Sequence, residues 1–127
     1  MSEKENRLLI IDDDHRNIFA LVAVLRSKGY NVLSAASAKD GIELMRNEPG
    51  IRVVLLDMMM PDMDGYEALS IMKGDAQLAA VPVFAVTAQA MVGDRERCLE
   101  AGADEYISKP IDVDLLLQLL TAHKAKG

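Results

Sequence analysis

The sequence predicts a doubly wound α/β domain with a five-stranded parallel sheet and five helices. Five short β-like runs alternate with five helical patterns along the 127 residues. The first, third and fourth runs are continuously apolar instead of alternating, as expected for strands that are buried on both faces. Because strict alternation implies right-handed crossovers, helices should cover both faces of the sheet. We expect one domain, residues 1–127, with a core from about 7 to 123.

The strand signals lie in short segments that are rich in β-branched and other apolar residues. They are RLLII (7–11), NVLSA (31–35), RVVLL (52–56), PVFAV (82–86) and DEYI (104–107). Between the first two segments, apolar residues at helical spacing predict a first helix that ends at Gly29. These residues are Ile18, Leu21, Val22 and Leu25.

Capping residues mark the starts of the second and third helices. Ser37 can cap a helix that stops near Pro49-Gly50. Asp64 can cap a helix from about Gly65 to Lys73. Both positions precede amphipathic segments, so the caps and the periodicity agree.

The last two helices are predicted to flank the fifth strand. The fourth should run from roughly Met91 to Ala101 and end at Gly102. The fifth should be capped by Asp112. Its apolar stripe comprises Leu115, Leu116, Leu119 and Leu120, with Lys124 and Lys126 near the negative end of the helix.

Composition narrows the class of function. The net charge is −6, with 20 acidic against 14 basic residues, which argues against nonspecific binding to nucleic acid or to a membrane surface. A single cysteine, Cys98, excludes an internal disulfide framework and suits a reducing cytoplasm. The charged start MSEKENR and the short apolar runs lead us to expect neither a signal peptide nor a membrane anchor.

Polar side chains follow four of the five predicted strands. In doubly wound sheets, binding sites form beyond the carboxyl ends of the strands. Asp57 directly follows the apolar run RVVLL. The groups that follow the first, fourth and fifth runs are Asp12, Asp13, Asp14, Thr87, Ser108, Lys109 and Pro110. Their coincidence at one edge predicts a functional site there.

The charges of this edge predict a metal ion. Asp12, Asp13 and Asp57 contribute −3 and Lys109 contributes +1, which leaves −2. Two like charges about 4 Å apart repel by roughly 4 kcal/mol at an effective dielectric near 20, so either a carboxylate is protonated or a divalent cation binds. Oxygen ligands without His or Cys favour Mg²⁺. A phosphoryl group held by the metal, Lys109 and the Thr87 hydroxyl could then be accepted by Asp57.

Several other polar or sulfur-containing residues have simpler explanations. Asp14 is interpreted as the N-cap of the first helix. Met58–Met60 is interpreted as core filling, and Cys98 as a small buried hydrophobic residue. His15 and His123 are interpreted as solvated helix residues.

Four motifs, in this order and spacing, make the whole chain resemble the receiver domain of two-component response regulators. They are LLIIDDD (8–14), LLDMMMPDMDG (55–65), VFAVTA (83–88) and YISKPID (106–112). The resemblance implies the flavodoxin-like receiver fold with strand order 2-1-3-4-5, which alternation alone does not establish. Within that family, the chain resembles the receivers attached to hybrid histidine kinases and the single-domain cell-cycle regulators more than the DNA-binding regulators.

The resemblance also assigns roles to the residues at the strand ends. Asp57 would be the phosphoacceptor, and Lys109 would pair with the phosphoryl oxygens and precede a cis bond to Pro110. The Mg²⁺ ligands would be Asp13, Asp57 and the backbone carbonyl of Met59, with Asp12 acting mainly through water.

A second set of roles concerns the response to phosphorylation. Thr87 and Tyr106 would form a switch pair, in which the hydroxyl moves to the phosphoryl group and the ring turns inward. Ala88 would be small because it lies beside the phosphate. Met59 and Gln89 occupy positions that tune autodephosphorylation in the family.

The same resemblance implies protein partners. The phosphoryl donor would be a histidine kinase or a histidine phosphotransfer domain. The downstream protein target would bind the face formed by the fourth helix, the fifth strand and the fifth helix, since the fourth helix has few large apolar residues and should be weakly anchored. Such a protein catalyses its own phosphotransfer and autodephosphorylation, so it is a regulatory switch more than an enzyme.

Three alternative functions remain open from the residues. A haloacid dehalogenase type phosphohydrolase would use Asp12 and Asp14, but His15-Arg16 follows where a small residue and Thr are expected. A flavin-binding domain of the same topology would need a Ser-, Thr- and Gly-rich loop after the first strand, and this loop carries three acids. A degenerate receiver acting only as a scaffold would not need the buried charges.

Overall fold

The computed structural model describes residues 7–48, 50–61, 63–88 and 91–126, which contain a five-stranded parallel sheet. The strands are β1 (Arg7–Ile11), β2 (Asn31–Ala35), β3 (Ile51–Asp57), β4 (Val83–Thr87) and β5 (Glu105–Ser108). Their order across the sheet is β2-β1-β3-β4-β5, and every neighbouring pair is parallel. The predicted fold class and the strand order are therefore confirmed.

A helix follows each of the five strands, and side chains cap the first turns of four of these helices. They are α1 (His15–Ser27), α2 (Ala38–Asn47), α3 (Gly65–Gly74), α4 (Asp94–Glu100) and α5 (Val113–Lys126). The predicted caps are confirmed: side-chain oxygens of Asp14, Ser37, Asp64 and Asp112 accept hydrogen bonds from backbone N–H groups two or three residues ahead. Pro49, which was predicted to follow α2, lies outside the described residues.

The sheet separates two apolar layers, as its doubly wound topology requires. Along β1, Leu9 and Ile11 pack in the layer with α2 and α3, whereas Leu8 and Ile10 pack in the layer with α1 and α5. All five residues of β4 are buried. The central strands thus have two apolar faces, which explains their continuously apolar sequences.

Three of the predicted strands have both ends wrong by one residue. β3 extends one residue further at each end, while β4 and β5 both begin and end one residue later than predicted. Pro82 has no N–H group to donate, so β4 starts after it. Asp104 precedes β5 because its Oδ2 accepts a 2.8 Å hydrogen bond from the Val83 N–H, which makes it a link between strands and not a strand residue.

The prediction for the fourth helix was too long. α4 covers seven residues, from Asp94 to Glu100, instead of starting near Met91. Gly93 precedes it with φ 84°, a left-handed conformation that separates the helix from the residues before it. The exposed Met91 and Val92 therefore belong to the connection from β4.

Two further predictions about α5 were wrong. Leu116 and Leu120 are buried, but Leu115 is 43% exposed and does not belong to the core stripe. His123 is not solvated: its side chain is 9% exposed and packs edge-on against the Phe84 ring, with centroids 4.9 Å apart. The side chains of Lys124 and Lys126 lie outside the described residues. Of the helices in the described ranges, none is both long enough and apolar enough to cross a bilayer.

Candidate functional site

An acidic cluster forms where β1 and β3 end side by side. Asp12 follows β1, Asp13 is next to it, and Asp57 is the last residue of β3. One carboxylate oxygen from each of the three lies within 4.8 Å of the others. Asp12 and Asp57 are buried, whereas Asp13 is exposed. The expected convergence of these three acids is therefore present, because strand order 2-1-3 makes β1 and β3 neighbours.

Three donors hold the Asp12 carboxylate. Its Oδ1 accepts from the Asp14 N–H at 2.9 Å, and its Oδ2 accepts from Asn17 Nδ2 at 2.7 Å and from Lys109 Nζ at 3.1 Å. Burial opposes ionisation of this group, but the three hydrogen bonds outweigh it and lower the pKa of Asp12 below its usual value. Sequence reasoning missed Asn17. Its place in the first turn of α1, five residues after Asp12, is a signal that could have identified it.

Asp57 accepts fewer hydrogen bonds and is buried at the end of the central strand β3. Its Oδ1 accepts from the Met59 N–H at 2.9 Å, and its Oδ2 lies 3.5 Å from Lys109 Nζ. Burial raises the pKa of the Asp57 carboxyl above its usual value, and the Asp12 carboxylate beside it adds to the rise. The site therefore places a partly desolvated carboxylate at the end of the central strand β3, where a nearby cation would favour its charged form.

Lys109 directly follows the edge strand β5 and supplies positive charge to the cluster. Its backbone N–H donates to the Thr87 carbonyl at 2.8 Å, and its peptide bond to Pro110 is cis, as expected. Burial would lower the pKa of Lys109, but the bonds to Asp12 and Asp57 outweigh this and raise it. Lys109 is therefore a fixed ammonium group between two carboxylates.

The remaining predicted site residues surround this cluster or lie near it. Thr87 ends β4, is buried and pairs with Ser108, and Ala88 follows it at the surface. Met58 and Met60 are buried as predicted, but the Met59 side chain is 51% exposed. Gln89 lies outside the described residues.

Tyr106, the aromatic member of the expected switch pair, is partly buried on β5. Its hydroxyl donates to Asp94 Oδ2 at 3.1 Å. Asp94 also accepts from the hydroxyl of Tyr66, and that hydroxyl lies 3.6 Å from Cys98 Sγ. Burial, together with the bond to Asp94 and its charge, raises the pKa of Tyr106 to about 12. The buried position of Cys98 is confirmed, whereas its contact with Tyr66 was not predicted.

The donor set of the acidic cluster fits a hard divalent cation. Carboxylate oxygens surround the site, and no His or Cys belongs to the group that the described residues form. Such ligands favour Mg²⁺ or Ca²⁺ over zinc or copper. The one ammonium group present does not balance three carboxylates, so a cation would also relieve the repulsion among them.

Sequence comparisons with known proteins agree on one family. A family model described as "Response regulator receiver domain" matches residues 8–121. Protein PilH of Pseudomonas aeruginosa is 36% identical over 116 residues, which cover 91% of this chain and 95% of that protein. The polar-differentiation response regulator DivK of Brucella ovis is 32% identical over 116 residues, covering 91% of this chain and 94% of that protein.

Solved structures agree with the sequence comparisons. A CheY-like response regulator receiver domain protein from Methanospirillum hungatei superposes with a TM-score of 0.83 at 32% identity, covering 96% of this chain and 98% of that one. The receiver domain of the sensor histidine kinase PA1611 from Pseudomonas aeruginosa has a TM-score of 0.81 at 32% identity, covering 94% and 98%. That structure has a magnesium ion coordinated in its active-site cleft.

Proposed function

This chain belongs to the response regulator receiver domain family, and on that premise we propose that Asp57 is its phosphoacceptor. Membership of this family makes the chain a receiver domain of phosphorelay signalling. The proposal adds which residues carry out the transfer, which ion they use and which surface responds. It applies to the whole chain as a single receiver domain acting in the cytoplasm.

One observation carries the assignment of Asp57. Its carboxylate is oriented by the Met59 N–H at 2.9 Å and lies 3.5 Å from the Lys109 ammonium. Phosphoryl transfer needs little from a protein beyond positioning and charge neutralisation, and this pair provides both. Asp12 is less suited to be the nucleophile, because three donors already occupy its oxygens.

The proposed step moves a phosphoryl group from a phosphohistidine to Asp57. An oxygen of the Asp57 carboxylate forms the new bond to phosphorus, while the phosphorus–nitrogen bond of the donor breaks and its electron pair returns to the imidazole nitrogen. The product is an acyl phosphate on Asp57. Lys109 pairs with the phosphoryl oxygens, and the Thr87 hydroxyl is a further donor at the end of β4.

Mg²⁺ is the proposed cofactor. Asp13, Asp57 and the backbone carbonyl of Met59 would hold it, with Asp12 acting mainly through water. The ion would supply the positive charge that the three carboxylates lack and would neutralise the incoming phosphoryl oxygens. The oxygen-only donor set supports this choice, as does the magnesium ion in the similar PA1611 receiver.

The proposed output is a change of protein-binding surface. Phosphorylation of Asp57 would draw the Thr87 hydroxyl towards the phosphoryl group and turn the Tyr106 ring inward, and Ala88 is small enough to leave room for that group. The responding face would comprise α4, β5 and α5. The donor would be a histidine kinase or a histidine phosphotransfer domain, and the target a protein and not a nucleic acid.

Intact-mass analysis with acetyl phosphate tests the assignment of Asp57. The wild type should gain a single phosphoryl group that requires Mg²⁺ and is labile to base, and Asp57→Asn should gain none. Asp14→Asn is the matched control, because Asp14 has the same side chain but caps α1, and Asn caps helices as well as Asp does.

Each result separates the proposal from its alternatives. An adduct that persists in Asp57→Asn and maps to Asp12 would favour the phosphohydrolase reading. If the wild type accepts a phosphoryl group neither from acetyl phosphate nor from a phosphorylated histidine donor, the result would favour a degenerate receiver that acts only as a scaffold.

A further inference from the structure

Asp94 joins two tyrosine hydroxyls that come from different elements of the fold. Tyr66 of α3 donates to Asp94 Oδ1 at 3.3 Å, and Tyr106 of β5 donates to Oδ2 at 3.1 Å. Both hydroxyls must act as donors, because an ionised carboxylate only accepts. Hydrogen bonds to a charged acceptor are stronger than neutral ones, so this one side chain links α3, α4 and β5.

The start of α4 has few other anchors. Asp94 is its first residue, and Cys98 is the buried residue among its seven. The preceding Gly93 offers no side-chain cap, and Met91 and Val92 before it are exposed. A helix of two turns has little stability of its own. Loss of the contacts of Asp94 should therefore release the first turn of α4.

The two tyrosines hold Asp94 in different ways. The Tyr66 hydroxyl also lies 3.6 Å from Cys98 Sγ, and the Arg97 guanidinium lies over the Tyr66 ring, 4.9 Å from its centroid. Tyr66 thus contacts α4 at three side chains and orients the carboxylate. By contrast, the Tyr106 hydroxyl makes one hydrogen bond within the described residues, and Asp94 accepts it. Tyr106 is therefore the partner that can leave.

The position of Tyr106 is connected to the phosphoacceptor site through β4 and β5. Tyr106 pairs with Ala85, and two residues later Ser108 pairs with Thr87. The next residue, Lys109, donates its N–H to the Thr87 carbonyl. A rearrangement that moves the Thr87 hydroxyl and turns the Tyr106 ring inward must break the bond between Tyr106 and Asp94.

We propose that Asp94 is a positioning residue that holds the Tyr106 hydroxyl outward and thereby sets the resting population of the switch. The inference rests on the proposed function of Asp57, Thr87 and Tyr106. Among the described residues, the hydrogen bonds of the Asp94 carboxylate go to Tyr66 and Tyr106 and not to the acidic cluster, so Asp94 acts through Tyr106. A bond made only in the resting conformation lowers the apparent affinity for any ligand that requires the other one. Removal of the Asp94 carboxylate should therefore raise the affinity of the site for a phosphoryl mimic.

The test is a titration of the full chain with beryllium fluoride in the presence of Mg²⁺, followed by calorimetry. Asp94→Ala should bind about 5-fold to 20-fold more tightly than the wild type, the range expected for one charged hydrogen bond at a partly exposed site. Glu96→Ala is the control, because Glu96 is an acid in the same first turn of α4 and its side chain makes no hydrogen bond with the described residues. It should change the affinity less than about 2-fold.

A double-mutant cycle with Tyr106→Phe identifies the bond responsible. In the Tyr106→Phe background, Asp94→Ala should have no further effect on the affinity, because the hydroxyl that Asp94 holds is gone. In a Tyr66→Phe background, the effect of Asp94→Ala should largely remain. If Asp94→Ala keeps its full effect without the Tyr106 hydroxyl, Asp94 acts by another route and the inference is wrong.

Two further readouts keep the test decisive. Should Asp94→Ala fold poorly, Asp94→Asn retains one carbonyl acceptor and should shift the affinity in the same direction by less. Amide hydrogen exchange should quicken in the first turn of α4 in Asp94→Ala and not in Glu96→Ala. A wild type that binds no beryllium fluoride and forms no adduct contradicts the proposed function. A wild type that binds it, with Asp94→Ala indistinguishable from Glu96→Ala, contradicts only the role of Asp94.

Discussion

Lys109 Nζ lies 3.1 Å from Asp12 Oδ2, although 97 positions separate the two residues in the sequence. The same ammonium group lies 3.5 Å from Asp57 Oδ2, so one cation serves two buried carboxylates. Taking these charges out of water is costly, and the pairing offsets only part of that cost. Packing of the apolar core does not require this charged cluster at the strand ends. Its presence therefore supports a role in binding.

Lys109→Met should make the stability of the fold depend on Mg²⁺. Without this ammonium group, the acidic cluster keeps three carboxylates, and the described part of the chain forms no other ion pair with Asp12 or Asp57. We expect the free energy of unfolding in metal-free buffer to fall by about 1–3 kcal/mol. Added Mg²⁺ should then restore more stability in the variant than it adds to the wild type, because the ion replaces the lost charge. Urea unfolding with and without Mg²⁺ measures both quantities.

Lys39→Met is the matched control for this experiment. Lys39 is exposed in the first turn of α2, and its loss changes the net charge by the same amount. Its stability should change by less than about 0.5 kcal/mol. Equal Mg²⁺ responses in the two variants would mean that Lys109 does not compensate the carboxylates.

Gly65→Ala should destabilise the start of α3. A Cβ at this position would lie 2.7 Å from Met58 Cα and would also overlap the Met58 sulfur. Because Met58 Cα is backbone next to Asp57, the clash cannot be relieved by a side-chain rotation alone. Overpacking of this kind costs about 1–3 kcal/mol. Thermal or urea unfolding measures the loss.

Gly74→Ala, at the other end of α3, is the comparison for that variant. A Cβ there meets nothing within 4 Å, so the added methyl group should be neutral or stabilise the fold by up to about 1 kcal/mol. A Gly65→Ala variant that is as stable as Gly74→Ala would show that the loop from β3 shifts to make room.

The sequence was sufficient to predict the fold and most of the acidic cluster. Alternation of strand and helix patterns gives a parallel sheet, and the carboxyl ends of parallel strands meet at one edge. Asp12, Asp13, Asp57 and Lys109 could therefore be assigned to that edge from the sequence. The strand order that makes β1 and β3 neighbours was implied by the resemblance to receiver domains and not by the alternation. Caps such as Ser37 and Asp64 depend on neighbours within three residues, which is why the helix starts beside them were predicted correctly.

Features that depend on distant contacts could not be predicted in the same way. His123 was expected to be solvated, but its environment is set by Phe84 on β4 and Glu105 on β5. In the sequence, Asp94 is one of several acidic residues in first helical turns. Only the fold brings the hydroxyls of Tyr66 and Tyr106 within hydrogen-bond distance of it. Position 123 and position 94 owe their roles to strand order, which the helix pattern alone does not contain.

His123→Ala should reduce stability, whereas His15→Ala should not. The His123 side chain is 9% exposed, lies edge-on to the Phe84 ring and has a nitrogen 3.2 Å from Glu105 Oε2. Its loss leaves a cavity beside Phe84, and we expect a cost of about 1–3 kcal/mol. His15 is exposed at the start of α1, so its loss should cost less than about 0.5 kcal/mol. Equal urea midpoints for the two variants would contradict the packing of His123.

Tyr106 should make the fold sensitive to alkaline pH. Burial first, and then the Asp94 carboxylate, raises its pKa from 10.0 to about 12, so the folded state favours the neutral hydroxyl. A raised pKa contributes stability that is complete below pH 10.0 and is lost as the pH rises through about 12. The free energy of unfolding should therefore fall over this interval. It should fall less steeply in Tyr106→Phe, which has no hydroxyl to ionise, and urea unfolding across the interval compares the two slopes.

Asp94→Ala should lower the pKa of Tyr106 without returning it to 10.0. The substitution removes both the acceptor of the hydroxyl proton and the negative charge that opposes a phenolate, but it leaves the burial of the ring, which is the larger cause. The ring-carbon chemical shift of Tyr106, followed by NMR as the pH is raised, gives its titration directly. Glu96→Ala, with the same change of charge in the same helical turn, should leave that titration nearly where it is in the wild type. If the two variants titrate alike, the Tyr106 hydroxyl is not bound to Asp94 in solution, since only a direct contact distinguishes the two acids.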